Sequence, residues 1–262
     1  MSTDLSPAQP QASTGRDDRG RVRPDFLIIG AQRSGTTSVF RYLSEHPQIR
    51  PSSWKEVHYF DKHWERGADW YRSWFPPEEE LAGGLLTGEA TPYLLFHPVS
   101  AERVRATLPD VRLIALLREP VARACSHYRH ECRLGYESLS LPAAFAAEAE
   151  RLASGEDWDE RHYSYVSRGE YAGQLRRWFD LYPREQFFIV PSERLFADAA
   201  KVTNELAAWM GLEPFDLPEW PAHYGTEPGE QLEPSLAAEL AAHFRPFNEE
   251  LYELLGEDFG WG

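Results

Sequence analysis

Cysteine is scarce in this chain of 262 residues, which excludes a scaffold held together by disulfides. The two cysteines, Cys125 and Cys132, lie seven positions apart in a segment whose pattern predicts a helix. Seven helical residues separate the thiols by about two turns, roughly 10 Å, which is too far for a disulfide. The sequence around them has no cluster of metal-type ligands. We therefore expect reduced thiols and a cytoplasmic protein.

Long apolar runs are also missing. Residues 1–23 are rich in Ser, Gln, Pro, Asp and Arg and lack the apolar core of a signal peptide or membrane anchor. This composition is typical of disordered segments. The sequence predicts a disordered leader at 1–23 and a single folded domain at 24–262, with no transmembrane segment.

Positive charge is in short supply as well. The net charge is −15, and only three of the 27 basic residues are lysines, a bias typical of GC-rich bacterial genomes. Nucleic acids and extended polyanions bind to basic surfaces, so we expect no nucleic-acid partner. An electropositive pocket within an acidic protein is compatible with this total. The composition does not indicate an oligomeric state.

The most informative stretch is a strand, a glycine turn and a helix near the start of the chain. Residues 26–29 form an apolar run that ends at Gly30, and residues 36–45 carry apolar side chains at helical spacing. Gly30 and Gly35 allow the backbone to approach a ligand closely. A turn of this kind directs free N–H groups and a helix N-terminus toward an anion.

Two residues that magnesium-dependent phosphoryl transfer requires are absent. Gly30 and Gly35 have the spacing of a Walker A loop, but Thr36 stands in the lysine position. The second apolar strand, 111–117, ends in Arg118 and not in a Walker B aspartate. We therefore predict an anion site that uses no metal. Its cradle consists of the second glycine, Gly35, and the residues around it that carry a cation or a hydroxyl group, namely Arg33, Ser34, Thr36, Thr37 and Ser38.

Two further pairs of polar residues are candidates for a site. Arg118, at a strand end, and Ser126, about two turns into the next helix, are suitable for binding a second phosphate. Glu56 and His58 project from the same face if their segment is extended, and such a pair is suitable for taking a proton from an acceptor hydroxyl. Each pair is equally compatible with ordinary surface residues.

Strands and helices alternate along the rest of the chain. Strands are predicted around 85–87, 111–117 and 187–190, and helices at 99–108, 120–134, 142–153, 170–182, 199–210 and 234–255. The aromatic segment 64–75 is either a core helix or a pocket wall, and 158–169 is predicted to be a loop and substrate lid. This alternation predicts an α/β, P-loop NTPase-like three-layer fold with a central parallel sheet, and a ligand at the carboxyl ends of the strands.

These motifs resemble the sulfotransferase family that uses 3′-phosphoadenosine 5′-phosphosulfate (PAPS), within the branch that heparan sulfate sulfotransferases share with small bacterial enzymes. The resemblance extends from about residue 24 to the end of the chain. It depends on several ordered motifs, at 24–37, 55–60, 88–93, 116–120, 126–128 and 251–261.

The resemblance implies a role for each candidate residue. The loop 33–38 would bind the 5′-phosphosulfate, and Arg118 with Ser126 would bind the 3′-phosphate. Glu56 would be the general base for in-line transfer of the sulfuryl group to a hydroxyl or amine, with His58 assisting or orienting it. Arg33 would neutralise charge on the departing 3′,5′-ADP. No metal is implied.

The chain departs from the family pattern at several positions. Arg33 stands where lysine is frequent, Ala90 replaces a lysine of the heparan-type enzymes, and residues 223–227 replace their Lys-Gly-Arg loop. Together with the net charge, these changes favour a small-molecule, glycolipid or other weakly charged carbohydrate acceptor. The alternatives are a P-loop nucleotide kinase or hydrolase, with a preference for Mg-ATP, and a non-catalytic nucleotide-binding protein on the same fold.

Overall fold

The computed structural model describes residues 22–221 and 232–261. Of the predicted leader, only positions 22 and 23 belong to the described residues. Residues 223–227, which stand in place of the Lys-Gly-Arg loop, lie outside them. In chain order the elements are β1 Phe26–Gly30, α1 Thr36–Ser44, α2 Gly67–Arg72, β2 Gly88–Ala90, α3 Ser100–Thr107, β3 Arg112–Leu117, α4 Pro120–Leu134, α5 Leu141–Leu152, α6 Asp157–Tyr163, α7 Tyr171–Phe179, β4 Phe187–Pro191, α8 Ser192–Ala197, α9 Ala199–Trp209 and α10 Pro234–Leu255.

The four strands form one parallel sheet in the order β2-β1-β3-β4. Phe26 of β1 is paired with Gly88 on one side and with Arg112 on the other, and Leu113 of β3 is paired with Phe187. Side chains of β1 are buried on both faces, as is usual for an inner strand of a parallel sheet. The carboxyl ends of β1, β2 and β3 therefore lie along one edge of the sheet.

Helices cover both faces of the sheet, so the predicted three-layer arrangement is confirmed. Alternate side chains of β1 and β3 point to opposite faces. Leu27, Ile29 and Leu113 pack with residues of α7 and α10 in one apolar cluster. Phe26 and Ile28 pack with residues of α1 and α9 in the other.

Most predicted helices and strands are present, with bounds that differ by a few residues. Two predictions of local structure are wrong. The segment 52–61 is not extended, because Glu56 and His58 adopt positive φ values of 63° and 54°. Residues 158–169 are not an open loop, because α6 and a short 3₁₀ turn at Ser167–Gly169 occupy most of them.

Two boundaries near the site also differ from prediction. β2 begins at Gly88, after the predicted 85–87, because Leu86 forms only an isolated bridge to Ile49. The short helix α8, directly after β4, was not predicted.

Both cysteines lie on α4 and are free, as predicted. Across the described ranges, no helix combines the length and the apolar character needed to cross a bilayer.

Candidate active site

The glycine turn lies at the carboxyl end of β1. The Ala31 amide donates to the carbonyl of Leu116 in β3, over 2.7 Å, which fixes the start of the turn to the sheet. The first amide bonded back into α1 is that of Val39, which donates to Gly35 over 3.1 Å. The three amides before it, at the helix N-terminus, have no helical carbonyl to bind. Together with the helix dipole they form an anion-binding end.

Glycine is required at position 35. Its φ is 87°, in the left-handed region, and an added Cβ would lie 2.9 Å from Leu195 and 3.2 Å from the ring of Phe196. Helix α8 therefore packs directly over the turn. The Ser192 hydroxyl donates to the Ser34 carbonyl over 2.7 Å, and the Ser34 hydroxyl is itself buried. In this conformation Ser34 supports the turn from within.

Three predicted donor-site residues meet beside this turn. Arg33 donates from Nε to the Ser126 hydroxyl over 3.1 Å, and Arg118 donates from Nη1 to the Arg33 carbonyl over 3.2 Å. Burial lowers the pKa of Arg118, yet its guanidinium stays charged at neutral pH because the ordinary pKa is so high. Two guanidinium groups and a helix N-terminus thus converge on one small region. This arrangement is suitable for binding a ligand with two anionic groups.

Helix α4, which carries Ser126, is fixed firmly at its start. Pro120 occupies the first helical turn, where its missing N–H is not needed. The Glu119 carboxylate accepts hydrogen bonds from the amides of Val121 and Ala122, over 2.9 and 2.6 Å. Such N-caps typically stabilise a helix by about 1 kcal/mol. The cap holds the first turns of α4, and with them Ser126, at the donor region.

Glu56 and His58 do lie side by side, although their segment is not extended. The Glu56 amide donates to the Ala90 carbonyl over 2.9 Å, and the His58 amide donates to the Thr91 hydroxyl over 3.4 Å. These bonds fix the segment to the carboxyl end of β2. His58 Nε2 lies 3.5 Å from Glu56 Oε2, and Lys55 donates to the other oxygen of Glu56.

Asp61 completes a row of alternating charges that the sequence analysis missed. Its carboxylate lies 2.7 Å from His58 Nδ1 and 3.0 Å from the Arg161 guanidinium of α6. We name Lys55, Glu56, His58, Asp61 and Arg161 the charge row. The short spacing between Asp61 and His58 was a usable signal, whereas Arg161 lies 100 positions away in the sequence.

The charge row sets the protonation of its members. Burial alone would raise the pKa of Glu56, but Lys55 and His58 lower it to about 2. Burial alone would lower the pKa of His58, but Asp61 and then Glu56 raise it to about 9. At neutral pH, Glu56 is therefore a carboxylate and His58 a cation. Of these two groups, only Glu56 is free to accept a proton.

The Glu56 carboxylate, 42% exposed, opens into a cleft of about 980 Å³. Gln32, which precedes Arg33, lies on another wall of the same cleft, so the anion-binding turn and the charge row face a common space. Arg168 donates to the Gln32 side chain and also to the carbonyls of Glu160 and Arg161 in α6. Helix α6 is thereby joined to the turn.

The cleft is basic although the protein is acidic. Three acidic residues line it, Glu56, Glu131 and Asp157. Its walls carry five lysine and arginine side chains, namely Lys55, Lys62, Arg66, Arg161 and Arg168.

Exposed apolar side chains concentrate at the same cleft. Seven large apolar side chains of the described part are exposed, and four of them line it: Trp54, Leu134, Tyr136 and Trp158. Trp158, Tyr136 and His162 form one cluster of rings. The centroids of Trp158 and Tyr136 lie 4.1 and 4.7 Å from that of His162, and 5.0 Å from each other. His162 is held in turn by Glu131, at 2.8 Å. The site therefore combines cations with aromatic faces.

Comparison with known proteins identifies the family. A family model of the sulfotransferase domain matches residues 23–219. The chain belongs to the sulfotransferase family. Heparan sulfate glucosamine 3-O-sulfotransferase 6 of Homo sapiens is 31% identical over 267 residues, covering 93% of this chain and 75% of the human protein. The membrane-associated sulfotransferase kil1 of Dictyostelium discoideum is 25% identical, covering 98% of this chain and 70% of its own length.

Solved structures agree with this assignment. The sulfotransferase from Alicyclobacillus acidocaldarius superimposes with a TM-score of 0.79 at 31% identity, covering 91% of this chain and 98% of that one. The sulfotransferase domain of the Synechococcus PCC 7002 olefin synthase, at 18% identity and a TM-score of 0.54, shares the fold. The predicted P-loop-like fold and the predicted transferase activity of this sulfotransferase are thus confirmed. The kinase and non-catalytic alternatives are not supported.

Proposed function

We propose that this sulfotransferase transfers the sulfuryl group of PAPS to a hydroxyl group of a carbohydrate acceptor by in-line displacement. The observation that carries the proposal is that the anion-binding turn and the charge row open into one cleft, through Gln32 and Glu56. A donor held at the turn and an acceptor in the cleft would meet between Arg33 and Glu56. Bringing two substrates together in this way supplies a large part of the rate enhancement in group transfer.

We propose that two separate sets of residues bind the 5′-phosphosulfate and the 3′-phosphate of the donor. The N-terminus of α1, with Thr36, Thr37 and Ser38, is suitable for binding the 5′-phosphosulfate. Arg118 and Ser126 are suitable for binding the 3′-phosphate, because a guanidinium and a hydroxyl both donate to phosphate oxygens. A second phosphate of this kind distinguishes PAPS from ordinary nucleotides.

The reaction is proposed to proceed in one displacement. The acceptor oxygen forms a bond to sulfur while the bond from sulfur to the phosphate oxygen of the donor breaks, and that bonding pair leaves with 3′,5′-ADP. The acceptor proton passes to Glu56, and the Arg33 cation stabilises the charge that develops on the leaving phosphate. With a pKa of about 2, Glu56 is a weak base. We therefore expect the proton to move late, when bonding to sulfur has made the acceptor oxygen acidic.

His58 is proposed to orient Glu56 and not to act as the base. Its ring is held between two carboxylates, at 3.5 Å from Glu56 and 2.7 Å from Asp61. Because both carboxylates favour its cationic form, it has no lone pair to accept the acceptor proton at neutral pH. The hydrogen bond to Asp61 fixes the ring in the orientation that reaches Glu56.

The carbohydrate acceptor is inferred from the walls of the cleft. Aromatic side chains such as Trp54 and Trp158, 45% and 48% exposed, present flat apolar surfaces of the kind that cover one side of a sugar ring. The cationic side chains around them would bind carboxylate or sulfate groups on the acceptor. An acceptor with negative charge thus suits the cleft better than the weakly charged one that the net charge suggested.

Calorimetric titration with 3′,5′-ADP, and separately with ATP plus Mg²⁺, tests the donor assignment. We expect binding of 3′,5′-ADP that is unchanged by EDTA, and a much weaker response to Mg-ATP. A preference for Mg-ATP would overturn the proposal. If 3′,5′-ADP binds, incubation with PAPS and a panel of neutral and acidic oligosaccharides, with 3′,5′-ADP release measured by chromatography, then tests the acceptor class.

A further inference from the structure

The last sequence motif, at 251–261, lies apart from the cleft. All of its residues belong to the described part of the chain, and none of them lines the cleft. The motif contains the end of α10 and the segment that follows it, in which Trp261 is buried. The Trp261 amide donates to the Tyr252 hydroxyl over 2.8 Å, and the Trp261 carbonyl accepts from the Asn248 side chain over 3.3 Å. Helix α10 thus fixes the backbone of Trp261.

The side chain of Trp261 reaches two other helices. Its indole N–H donates to the Glu193 carboxylate of α8 over 3.4 Å. Its ring lies against that of Tyr171, the first residue of α7, with 6.0 Å between the centroids. Tyr171 is itself almost completely buried. Trp261 therefore links α10 to the starts of α7 and α8.

Both of these neighbours bind the same peptide group. The Tyr171 hydroxyl donates to the Arg118 carbonyl over 2.9 Å, and the Glu119 amide donates to the Glu193 carboxylate over 3.0 Å. The carbonyl of residue 118 and the amide of residue 119 belong to one planar unit. The two hydrogen bonds therefore fix the orientation of this unit between β3 and α4, and with it the backbone from which the Arg118 side chain extends.

The Glu193 carboxylate also acts on the charge of Arg118. Burial lowers the pKa of Arg118, and Glu193 is the foremost of the charges that oppose this shift. Each carboxylate oxygen of Glu193 has a bond that holds it, Oε1 from the Glu119 amide and Oε2 from the Trp261 indole. A carboxylate released from the indole would be free to turn toward the guanidinium, where it would compete with a phosphate.

We propose that Trp261 is a positioning residue for recognition of the 3′-phosphate of the donor, and that it acts on Arg118 through Tyr171 and Glu193. This inference rests on the proposed function, because it assumes that Arg118 binds the 3′-phosphate. Trp261 acts without touching the nucleotide. It supports both partners of the peptide group after Arg118 and keeps the Glu193 carboxylate away from the phosphate site. The motif 251–261 is thereby joined to donor binding.

The comparison of 3′,5′-ADP with AMP isolates this effect, because the two nucleotides differ only by the 3′-phosphate. Trp261→Phe keeps a ring against Tyr171 and removes the N–H that binds Glu193. In calorimetric titrations we expect about threefold to tenfold weaker binding of 3′,5′-ADP, the effect of one hydrogen bond, and binding of AMP within about twofold of the parent. Equal losses for the two nucleotides, or no loss for either, would overturn the inference.

A double-mutant cycle with Arg118→Ala tests whether Trp261 acts through Arg118. In the Arg118→Ala background, Trp261→Phe should cause no further loss of 3′,5′-ADP affinity. A loss as large as in the parent background would contradict the inference. Tyr171→Phe, which removes the other bond to the peptide group, should also weaken 3′,5′-ADP more than AMP, and it provides the test if Trp261→Phe does not fold.

Trp209→Phe is the matched control, since Trp209 of α9 packs against Phe188 in the other apolar cluster. Its affinities for both nucleotides should equal those of the parent, and urea denaturation of each variant shows whether it is folded. A parent chain that binds 3′,5′-ADP no more tightly than AMP would overturn the proposed function together with the inference. A preference for 3′,5′-ADP that Trp261→Phe retains in full would overturn the inference alone.

Discussion

The assignment of Glu56 as the proton acceptor makes a quantitative prediction for Glu56→Gln. The change removes the negative charge but keeps the shape of the side chain and one oxygen. The carboxylate is 42% exposed, so its pairings with Lys55 and His58 are screened by solvent. Exposed pairs of this kind contribute about 0–1 kcal/mol each. We therefore expect the variant to remain folded, with an unfolding free energy within about 2 kcal/mol of the parent.

The effect on turnover should be much larger than the effect on folding. Loss of a positioned general base typically lowers turnover by about 10²–10⁴-fold, which corresponds to about 3–5 kcal/mol in the activation free energy. Binding of 3′,5′-ADP should change by less than about twofold, because the donor contacts are made by other residues. A large loss of turnover with intact folding and donor binding would thus be specific to the chemical step.

The assay compares three measurements on each variant. Urea denaturation gives the unfolding free energy, calorimetry gives the affinity for 3′,5′-ADP, and release of 3′,5′-ADP from PAPS with the best acceptor of the oligosaccharide panel gives turnover. Glu65→Gln is the control, since Glu65 is an exposed carboxylate near the cleft but not in its lining. Glu56→Gln with full turnover would refute the assignment of the base.

Three further predictions follow from the same geometry. Arg118→Ala should weaken 3′,5′-ADP binding by about 10–100-fold, the effect of a charge-assisted hydrogen bond, with partial recovery in Arg118→Lys, as measured by calorimetry. Gly35→Ala should lower the unfolding free energy more than Gly67→Ala in urea denaturation, because both glycines have positive φ but only Gly35 has close neighbours. The His58 cation stabilises the fold fully below the unfolded-state pKa of about 6.5, and this stabilisation is lost as the pH rises through about 9. The difference in unfolding free energy between the parent and His58→Gln should therefore shrink over that range, and a difference that grows with pH would contradict the assignment.

The central elements were predictable because their signals are local. β1 and β3 are continuous apolar runs, and the turn between β1 and α1 is specified by Gly30 and Gly35. Arg118 was placed correctly at the end of β3 for the same reason. Such features depend on neighbouring residues and on the general rule that parallel strands place their carboxyl ends along one edge.

The charge row was predictable only in part because it is built from distant segments. The contact of Glu56 with His58 was predicted from alternation in a strand, yet it arises from two residues with positive φ. Arg161 and Arg168 reach the site from α6 and the turn after it, in a region predicted to be a loop. The basic cleft was obscured by the net charge, because a total says nothing about where charges gather.

The cleft around the charge row has an electrical imbalance that bears on the end of the catalytic cycle. Within the row the charges balance once Asp157, 2.8 Å from Arg161, is included, but the lining of the whole cleft carries five lysine and arginine side chains against three carboxylates. This surplus of positive charge attracts the anionic sulfuryl group of a donor, but it attracts a newly made sulfate ester equally well. An electrostatic attraction that acts equally on substrate and product slows the departure of the product from the cleft. We therefore expect this site to slow the release of the sulfated product, and raising the ionic strength should speed that release.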